Sequence, residues 1–278
     1  MVIKNWIGGK LKNTHDNDYI KKFNPHDGKF LYNIVNSKIN DINDAIDSAH
    51  EAFKIWSDFT PVKRGQILGN IVLGMKSNMK QLSECIATET GKSIKDAHAE
   101  VNAAILQAEF FAGEGMRLYG KSLTSGMRGK YTHSVRQPHG IVGLIVPANT
   151  PIANIAWKTF PALICGNSII LKASEDSPKI ALLFAKITKE AGLPDGVFNV
   201  VHGDKVAVDA LLTHPGIKSV SFVGSTSIAK YVYENGTKAG KRVQALGGAK
   251  NHMIVLPDAD LELAADAAIN AGFGSAGE

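Results

Sequence analysis

Polar side chains follow the ends of three apolar runs in the second half of the chain, where a ligand could be contacted. The first run ends in the segment Val146-Pro147-Ala148-Asn149-Thr150-Pro151. The prolines restrict the backbone there, and the Asn149 side-chain amide is available as a hydrogen-bond donor. Asn149 is therefore a candidate binding residue, and a buried asparagine that only closes a turn is the alternative.

The second run ends in the segment Leu171-Lys172-Ala173-Ser174-Glu175-Asp176, which places a cation and an acid three residues apart. In a nucleotide site, one of these groups could contact a ribose hydroxyl, and the other could contact the second hydroxyl or a phosphate. Surface charges at the start of a helix are an equally good interpretation of the same pattern.

The third run passes through Gly224-Ser225 into a helix that we predict to begin near Ser227. A helix N-terminus presents unpaired N–H groups and the positive end of its dipole, and glycine allows a ligand to approach the backbone closely. The segment therefore predicts a pyrophosphate site, with an ordinary helix N-cap as the alternative. Because the GxGxxG fingerprint is absent from these turns, they do not form a standard dinucleotide motif.

Several other catalytic motifs are excluded. The segment 86–93 resembles the end of a phosphate-binding P-loop, but Ile86 stands where that motif requires glycine. The sequence has no GxSxG or HExxH motif, and its nine histidines are scattered, so we predict no metal site. Cys85 and Cys165 both lie in apolar segments that lack an electropositive, accessible setting, which predicts core residues rather than nucleophiles.

Composition limits the class of protein. A chain of 278 residues with 44% hydrophobic content can bury a substantial core. The net charge is +5, but the basic residues are dispersed, so we do not expect nucleic-acid binding. No apolar stretch approaches the roughly 20 residues of a membrane span, and the first residues lack the apolar block of a secretory signal. These features predict a cytoplasmic protein without a membrane partner.

The first 116 residues are predicted to form extended segments followed by helices. Asn24-Pro25 and Asp27-Gly28 separate two apolar runs, which is typical of a hairpin within residues 1–40. The first predicted helix has Asp41 as its N-cap. The second begins at Pro61, and Gly91 ends it or its continuation. The third runs from about Ile94 to Met116.

From Ile141 onward, short apolar runs alternate with segments of helical periodicity. Such βαβ units have right-handed crossovers and form a parallel sheet whose ligand crevice lies at the carboxyl ends of the strands. The sequence therefore predicts an α/β fold with a parallel Rossmann-type sheet, helices on both faces, and a helical N-terminal segment before it.

Taken together, these motifs resemble the aldehyde dehydrogenase superfamily over the whole chain. The shared motifs, in the family's order and spacing, are ETGK at Glu89–Lys92, VPANTP, AWKTFPALICGN, LKASEDSP, GLPDGVFNVVHG and FVGST. The resemblance implies that Asn149 donates a hydrogen bond to the oxyanion of a tetrahedral intermediate, and that Lys172 and Glu175 hold the adenosine ribose. It also implies a cofactor path lined by Ile145, Pro147, Gly203, Gly224, Ser225, Ile228 and Leu246.

The resemblance also bears on the cofactor and the acyl acceptor. An acid at Glu175 repels a 2′-phosphate, which implies a preference for NAD over NADP. The segment 242–252, RVQALGGAKNH, is similar to the methylmalonate-semialdehyde dehydrogenase branch, whereas VPANTP is closer to general aldehyde dehydrogenases. Most relatives have a glutamate at the position of Ala245, and alanine cannot activate water as a base. The implied reaction oxidises an aldehyde, such as methylmalonate or malonate semialdehyde, with coenzyme A as a possible acyl acceptor. Ala229 stands where the family usually has glycine.

Finally, the resemblance implies how the chain is divided. Residues 1–248 would form an NAD-binding domain, with strands near 119–137 at the base of the oligomerisation arm of a homo-oligomer. Residues from about Ala249 to Glu278 would be the first strand and helix of a catalytic domain. In this branch the segment GFGSAGE is followed by the catalytic cysteine, so we expect a chain that lacks its nucleophile and is inactive alone. A non-catalytic module that binds a nucleotide or a partner is the alternative.

Overall fold

A computed structural model describes residues 1–275 of the protein. Glu278, after which the resemblance placed the catalytic cysteine, lies outside the described residues. The strands are β1 (Val2–Ile3), β2 (Asn5–Ile7), β3 (Lys10–Lys12), β4 (Tyr19–Phe23), β5 (Phe30–Val35), β6 (Ser122–Thr124), β7 (Tyr131–His133), β8 (Ile141–Ile145), β9 (Ser168–Lys172), β10 (Phe198–Val201), β11 (Ile217–Val223) and β12 (Arg242–Leu246). The helices are α1 (Ile39–Asp58), α2 (Pro61–Ser77), α3 (Met79–Thr90), α4 (Ile94–Gly113), α5 (Pro151–Ile164), α6 (Pro178–Glu190), α7 (Lys205–Thr213), α8 (Thr226–Lys238) and α9 (Leu261–Phe273).

The main sheet has the strand order β12-β11-β8-β9-β10-β2-β3. Strands β8 to β12 pair in parallel, as predicted, and β2 and β3 extend one side of the sheet in antiparallel pairing. The register places Ile145 opposite both Lys172 and Phe222. The carboxyl ends of β8, β9 and β11 therefore lie side by side at one edge, which is where a ligand crevice is expected.

Both faces of this sheet are covered by helices. Successive strand residues point to opposite faces, so Val142 and Leu144 pack into the core beneath α5 and α6, whereas Ile141 and Ile145 pack into the core beneath α1 and α7. Helices α2 and α4 contact α5 and α6 from outside and form a further layer. The predicted doubly covered sheet is confirmed by this arrangement.

The N-terminal segment agrees with the sequence in outline. Strands β4 and β5 form the predicted hairpin, and β1 pairs with β5 in parallel. The prediction of Asp41 as an N-cap is wrong, because α1 begins at Ile39 and Asp41 lies in its first turn. The Asp41 carboxylate instead accepts hydrogen bonds from the Lys38 N–H (2.8 Å) and the Thr14 hydroxyl (2.8 Å), so it caps the helix from within.

The other predicted helix ends are confirmed. Pro61 begins α2, and Gly91, in the left-handed conformation with φ of +79°, ends α3. Ser93 caps α4 through the Asp96 N–H at 3.0 Å, and a 3₁₀ turn continues α4 to Met116. The sequence pattern did not predict the interruption between α2 and α3, which lies at Asn78.

Strands β6 and β7 lie within residues 119–137, where strands were expected; they pair with each other as an antiparallel hairpin, and both are exposed. Beyond residue 248, the predicted helix is present as α9, but the predicted strand is not formed in residues 249–260. Residues 250–256 are exposed and pair with no strand of the described chain, and a strand without a neighbour has no partner for its backbone groups. Among the helices of residues 1–275, none is long and apolar enough to span a membrane.

Candidate functional site

A cavity of about 610 Å³ opens at the edge where β8, β9 and β11 end. It lies between the starts of α7 and α8, so its walls are strand exits and helix N-termini. Seven of the residues that the sequence assigned to a cofactor path line it: Ile145, Pro147, Lys172, Glu175, Gly224, Ser225 and Ile228. Residues up to 83 positions apart in the sequence thus meet in one crevice, because parallel strands bring their carboxyl ends to the same edge of the sheet.

Lys172 and Glu175 form an ion pair in the crevice, with the ammonium 3.0 Å from Glu175 Oε2. Lys172 is the last residue of β9 and its side chain is only 9% exposed, whereas the Glu175 side chain is 49% exposed. Partial burial opposes ionisation of Glu175, but the Lys172 charge outweighs it and lowers the pKa of this carboxyl. A fixed carboxylate with an open side is suited to accept hydrogen bonds from two vicinal hydroxyls.

The start of α8 forms the wall opposite this pair. Ser225 occupies the N-cap position with an extended backbone, but its hydroxyl makes no capping hydrogen bond in the described structure. Its Oγ lies 3.4 Å from Ser227 Oγ, and Gly224 donates its N–H to the Leu246 carbonyl at 3.1 Å. Because the cap side chain leaves the first helical N–H groups available, this helix start retains the capacity to bind an anion.

The remaining two residues of the expected path lie outside the crevice wall. Gly203 is buried just after β10 with φ of +150°, and an added Cβ would lie 3.0 Å from the Ala207 Cβ and 3.1 Å from the Ser37 carbonyl oxygen. Position 203 favours glycine because the backbone there packs against the first turn of α7. Leu246 ends β12 with 48% of its surface exposed.

The structure adds crevice residues that sequence reasoning missed, chiefly at the exit of β10. Asp204 caps α7 through the Val206 N–H at 2.9 Å, and its carboxylate lines the crevice near Glu175. Lys205 donates to the Tyr231 hydroxyl at 2.8 Å and lies over the Tyr231 ring, 4.7 Å from its centroid. The sequence pattern could have indicated Asp204, because this residue follows an apolar run in the same way as Lys172 and Gly224 do.

Asn149 lies in the turn between β8 and α5, half-buried and outside the crevice wall. Its Oδ1 accepts a hydrogen bond from Asn154 Nδ2 at 3.4 Å, and its carbonyl accepts one from the Lys92 ammonium. Lys92 also forms a buried ion pair with Glu100 at 2.9 Å. The Asn149 Nδ2 donates to no group within residues 1–275, so this amide donor is available to a ligand.

The two cysteines differ in their surroundings. Cys85 is buried, as predicted, and donates to Glu89 Oε2 at 3.6 Å; burial and the nearby carboxylate raise the pKa of its thiol. The prediction that Cys165 is a core residue is wrong, because it follows the last residue of α5 and is exposed. Although the residue as a whole is exposed, partial burial of its thiol raises the pKa of Cys165, and Arg64 and Arg136 oppose this rise without cancelling it, which disfavours a thiolate.

Cys165 lines a second cavity of about 670 Å³, on the sheet face that α5 leaves uncovered beside β11 and β12. Lys158 is nearly buried there and donates to Ser221 Oγ at 2.5 Å, and Ser221 donates to Gln244 Oε1 at 2.7 Å. Burial lowers the pKa of Lys158 to about 8. The helical spacing of α5 did not reveal this lysine, because its environment is set by strands more than 60 residues later.

This fold and crevice define a doubly wound α/β protein whose candidate ligand site lies at the strand exits. The chain belongs to the aldehyde dehydrogenase family, whose sequence profile matches residues 12–278. The family assignment made from the motifs is therefore confirmed.

Individual relatives support the branch as well as the family. The chain is 42% identical to malonate-semialdehyde dehydrogenase 1 of Geobacillus thermodenitrificans over 277 residues, which cover 100% of this chain and 57% of that protein. It superposes on a putative methylmalonate-semialdehyde dehydrogenase of Sinorhizobium meliloti, solved with NAD, at a TM-score of 0.96 and 40% identity, covering 98% of this chain and 56% of the other. The chain thus spans a little over half the length of these relatives.

A solved structure of an enzyme described as NADP-dependent is comparably similar in fold. The NADP-dependent enzyme of E. coli superposes at a TM-score of 0.96 with 32% identity, covering 99% of this chain and 57% of the other. Because relatives described with either cofactor share this fold, the fold alone does not distinguish NAD from NADP.

Proposed function

We propose that the crevice binds NAD and that the chain serves in the NAD-dependent oxidation of an aldehyde. The observation that carries this proposal is the meeting of the Lys172–Glu175 ion pair and the uncapped start of α8 in one cavity of about 610 Å³. A carboxylate for ribose hydroxyls and helix amides for a pyrophosphate are the two recognition elements that a dinucleotide needs.

The remaining walls fit the same ligand. Val208 of α7 and Ile228 of α8 supply apolar surface on which a base would pack, and Glu175 and Asp204 place negative charge where a 2′-phosphate would lie. NAD supplies the hydride acceptor when it is bound. The residues of this chain bind and orient NAD, and they disfavour NADP because it carries a 2′-phosphate.

The assignment of Asn149 is the proposal's catalytic element. Its Nδ2 would stabilise an oxyanion that forms as a thiol adds to the aldehyde carbon, because a preorganised donor favours the developing charge. We do not assign the thiol to either cysteine of this sequence, since Cys85 is buried and Cys165 lines the other cavity.

The acyl acceptor and the substrate follow from the branch. Ala245 lies within β12 and cannot remove a proton from water, so we propose coenzyme A rather than water as the acyl acceptor. The names of the relatives point to malonate or methylmalonate semialdehyde as the aldehyde. For the whole protein we propose a homo-oligomer, on the basis of the exposed β6–β7 hairpin.

Calorimetric titration of the chain with NAD and NADP tests the cofactor assignment. We expect micromolar binding of NAD and weaker binding of NADP. Glu175→Gln should weaken NAD binding and reduce the preference for NAD. The control Glu190→Gln changes an ion-paired surface glutamate on α6 outside the crevice and should have no effect. Absence of binding by either nucleotide, or equal effects of both substitutions, would contradict the assignment.

A non-catalytic nucleotide-binding role is the second candidate, and the settings of both cysteines favour it. An assay of malonate semialdehyde with NAD and coenzyme A separates the two roles. Formation of NADH at enzymatic rates would support oxidation by this chain. Tight binding of NAD without turnover would support the binding role for the chain as it stands.

A further inference from the structure

Helices α5 and α6 begin in the same unusual way. Each follows a strand exit, each has proline as its first residue, and in neither does the N-cap side chain, Thr150 or Ser177, form a capping hydrogen bond. Because the free N–H groups of a helix start need acceptors when they are buried, the acceptors must come from elsewhere in the molecule.

Two glutamates from another layer supply them. Glu100 of α4 accepts hydrogen bonds from the N–H groups of Ile152 (2.9 Å) and Ala153 (3.3 Å) at the start of α5. Glu89 of α3 accepts hydrogen bonds from the N–H groups of Lys179 (2.9 Å) and Ile180 (3.1 Å) at the start of α6. The second and third residues of each helix are thus held by a distant, buried carboxylate.

Glu89 is firmly placed for this task. It is 1% exposed, and it accepts further hydrogen bonds from the Tyr32 hydroxyl and the Cys85 thiol. Burial raises the pKa of Glu89, while its four donors favour the carboxylate and oppose that rise. A carboxylate with donors from three parts of the chain fixes the start of α6 relative to α3 and β5.

The start of α6 is also the end of the turn that carries Glu175. This turn is anchored at one end by Lys172 in β9 and at the other by the first residues of α6. Within it, the Ser177 N–H donates to the Ser174 carbonyl at 3.2 Å, and the Asp176 N–H donates to Ser174 Oγ at 3.2 Å. The turn is short and bonded to itself, so displacement of the helix start would move the Glu175 carboxylate.

We infer that Glu89 is a positioning residue for the nucleotide site, acting through the start of α6 on the turn that presents Glu175. The inference rests on the proposed function, because it concerns how the proposed ribose contact is held. Glu89 lies outside the crevice wall, so its contribution to binding is indirect.

Titration with AMP, which offers only the adenosine half of the cofactor, tests this role. Glu89→Gln removes the charge and one acceptor from the start of α6, and we expect AMP and NAD to bind about fivefold more weakly or worse, by the same factor for both. Glu100→Gln is the control, because it removes the charge and one acceptor from the start of α5, which contributes no residue to the crevice; it also removes the ion pair with Lys92, so it is the more disruptive of the two changes. We expect it to leave AMP affinity within about twofold.

Equal weakening of AMP binding by both substitutions would mean that Glu89 has a general structural role, and no weakening by Glu89→Gln would also overturn the inference. Hydrogen exchange in the unaltered chain provides a test that does not require a variant to fold. Because coupling is reciprocal, saturating AMP should slow exchange of the Lys179 and Ile180 amides, and unchanged exchange would overturn the inference. If the unaltered chain binds neither AMP nor NAD, the proposed function fails instead.

Discussion

At the scale of single residues, the buried base Lys158 has a consequence for stability. Its pKa in the folded protein is lowered to about 8 by burial, whereas an unfolded lysine titrates near 10.4. Between these pH values the unfolded chain binds more protons than the folded chain, so the free energy of unfolding rises with pH. Below pH 8 the lysine is charged in both states, and burial of the charged ammonium group then lowers the free energy of unfolding most strongly.

We therefore predict that the stability difference between Lys158→Met and the unaltered chain depends on pH. The methionine variant should gain relative stability at pH 7, and its advantage should fall by about 3 kcal/mol between pH 8 and 10.5. Urea unfolding across this range measures the difference. Lys186→Met, at an exposed lysine of α6, controls for the loss of a surface charge. A pH-independent difference for Lys158→Met would contradict the prediction.

The second residue-scale prediction concerns Asp204. Its carboxylate lies in the crevice near Glu175, so it should help to repel a 2′-phosphate. Asp204→Asn retains a good N-cap for α7 while removing the charge. We expect NADP affinity to rise by about threefold or more while NAD affinity stays nearly constant.

Asp195→Asn is the control for this change, because Asp195 is similarly exposed and paired with Lys189 at 3.1 Å outside the crevice. Competitive titration of both nucleotides gives the ratio of affinities. A ratio that moves equally in the two variants would show that Asp204 has no special role.

Sequence reasoning at this scale succeeded where chemistry was local. Lys172 and Glu175 are three residues apart, and the sequence predicted both at one strand exit, where the structure places them as an ion pair of 3.0 Å. Cys165 was misplaced because an apolar segment does not reveal which of its residues faces outward at a helix end. Lys158 was missed because its environment comes from β11 and β12.

At the scale of elements, Gly203 is the link between β10 and α7. With φ of +150° and an added Cβ 3.0 to 3.2 Å from Ala207 and Ser37, alanine would be both strained and crowded. We predict that Gly203→Ala destabilises the chain by about 2 to 4 kcal/mol.

Gly192→Ala separates backbone strain from the crowding of an added Cβ. Gly192 also has a positive φ, of +90°, but an added Cβ would meet nothing within 4 Å. Its cost should be confined to strain, about 1 to 2 kcal/mol. Thermal or urea unfolding of both variants measures the difference, and equal losses would mean that crowding at Gly203 is relieved by small shifts.

Element boundaries were predictable where the signal lies within a few residues. Pro61 and Gly91 mark helix ends by their own backbone preferences, and the structure places them there. The starts of α5 and α6 could be predicted from Pro151 and Pro178, but not their caps. Those caps come from Glu100 and Glu89, which lie at least 52 residues away in sequence.

At the scale of the whole molecule, the alternation of apolar runs and helices after Ile141 was enough to predict a parallel sheet with its crevice at the strand exits. It could not predict that β2 pairs with β10, since the Trp6–Val200 register joins residues that are 194 positions apart in the sequence. Nor could it predict the second cavity, of about 670 Å³, which forms where helices leave the sheet uncovered.

The crystal structure of the chain with bound NAD is the most direct measurement of the central claim. We predict adenosine between α7 and α8, its ribose hydroxyls on Glu175, and the pyrophosphate at the N–H groups that begin α8. Nucleotide density beside Lys158 and Cys165 in the larger cavity, with the crevice at the strand exits unchanged, would contradict the account.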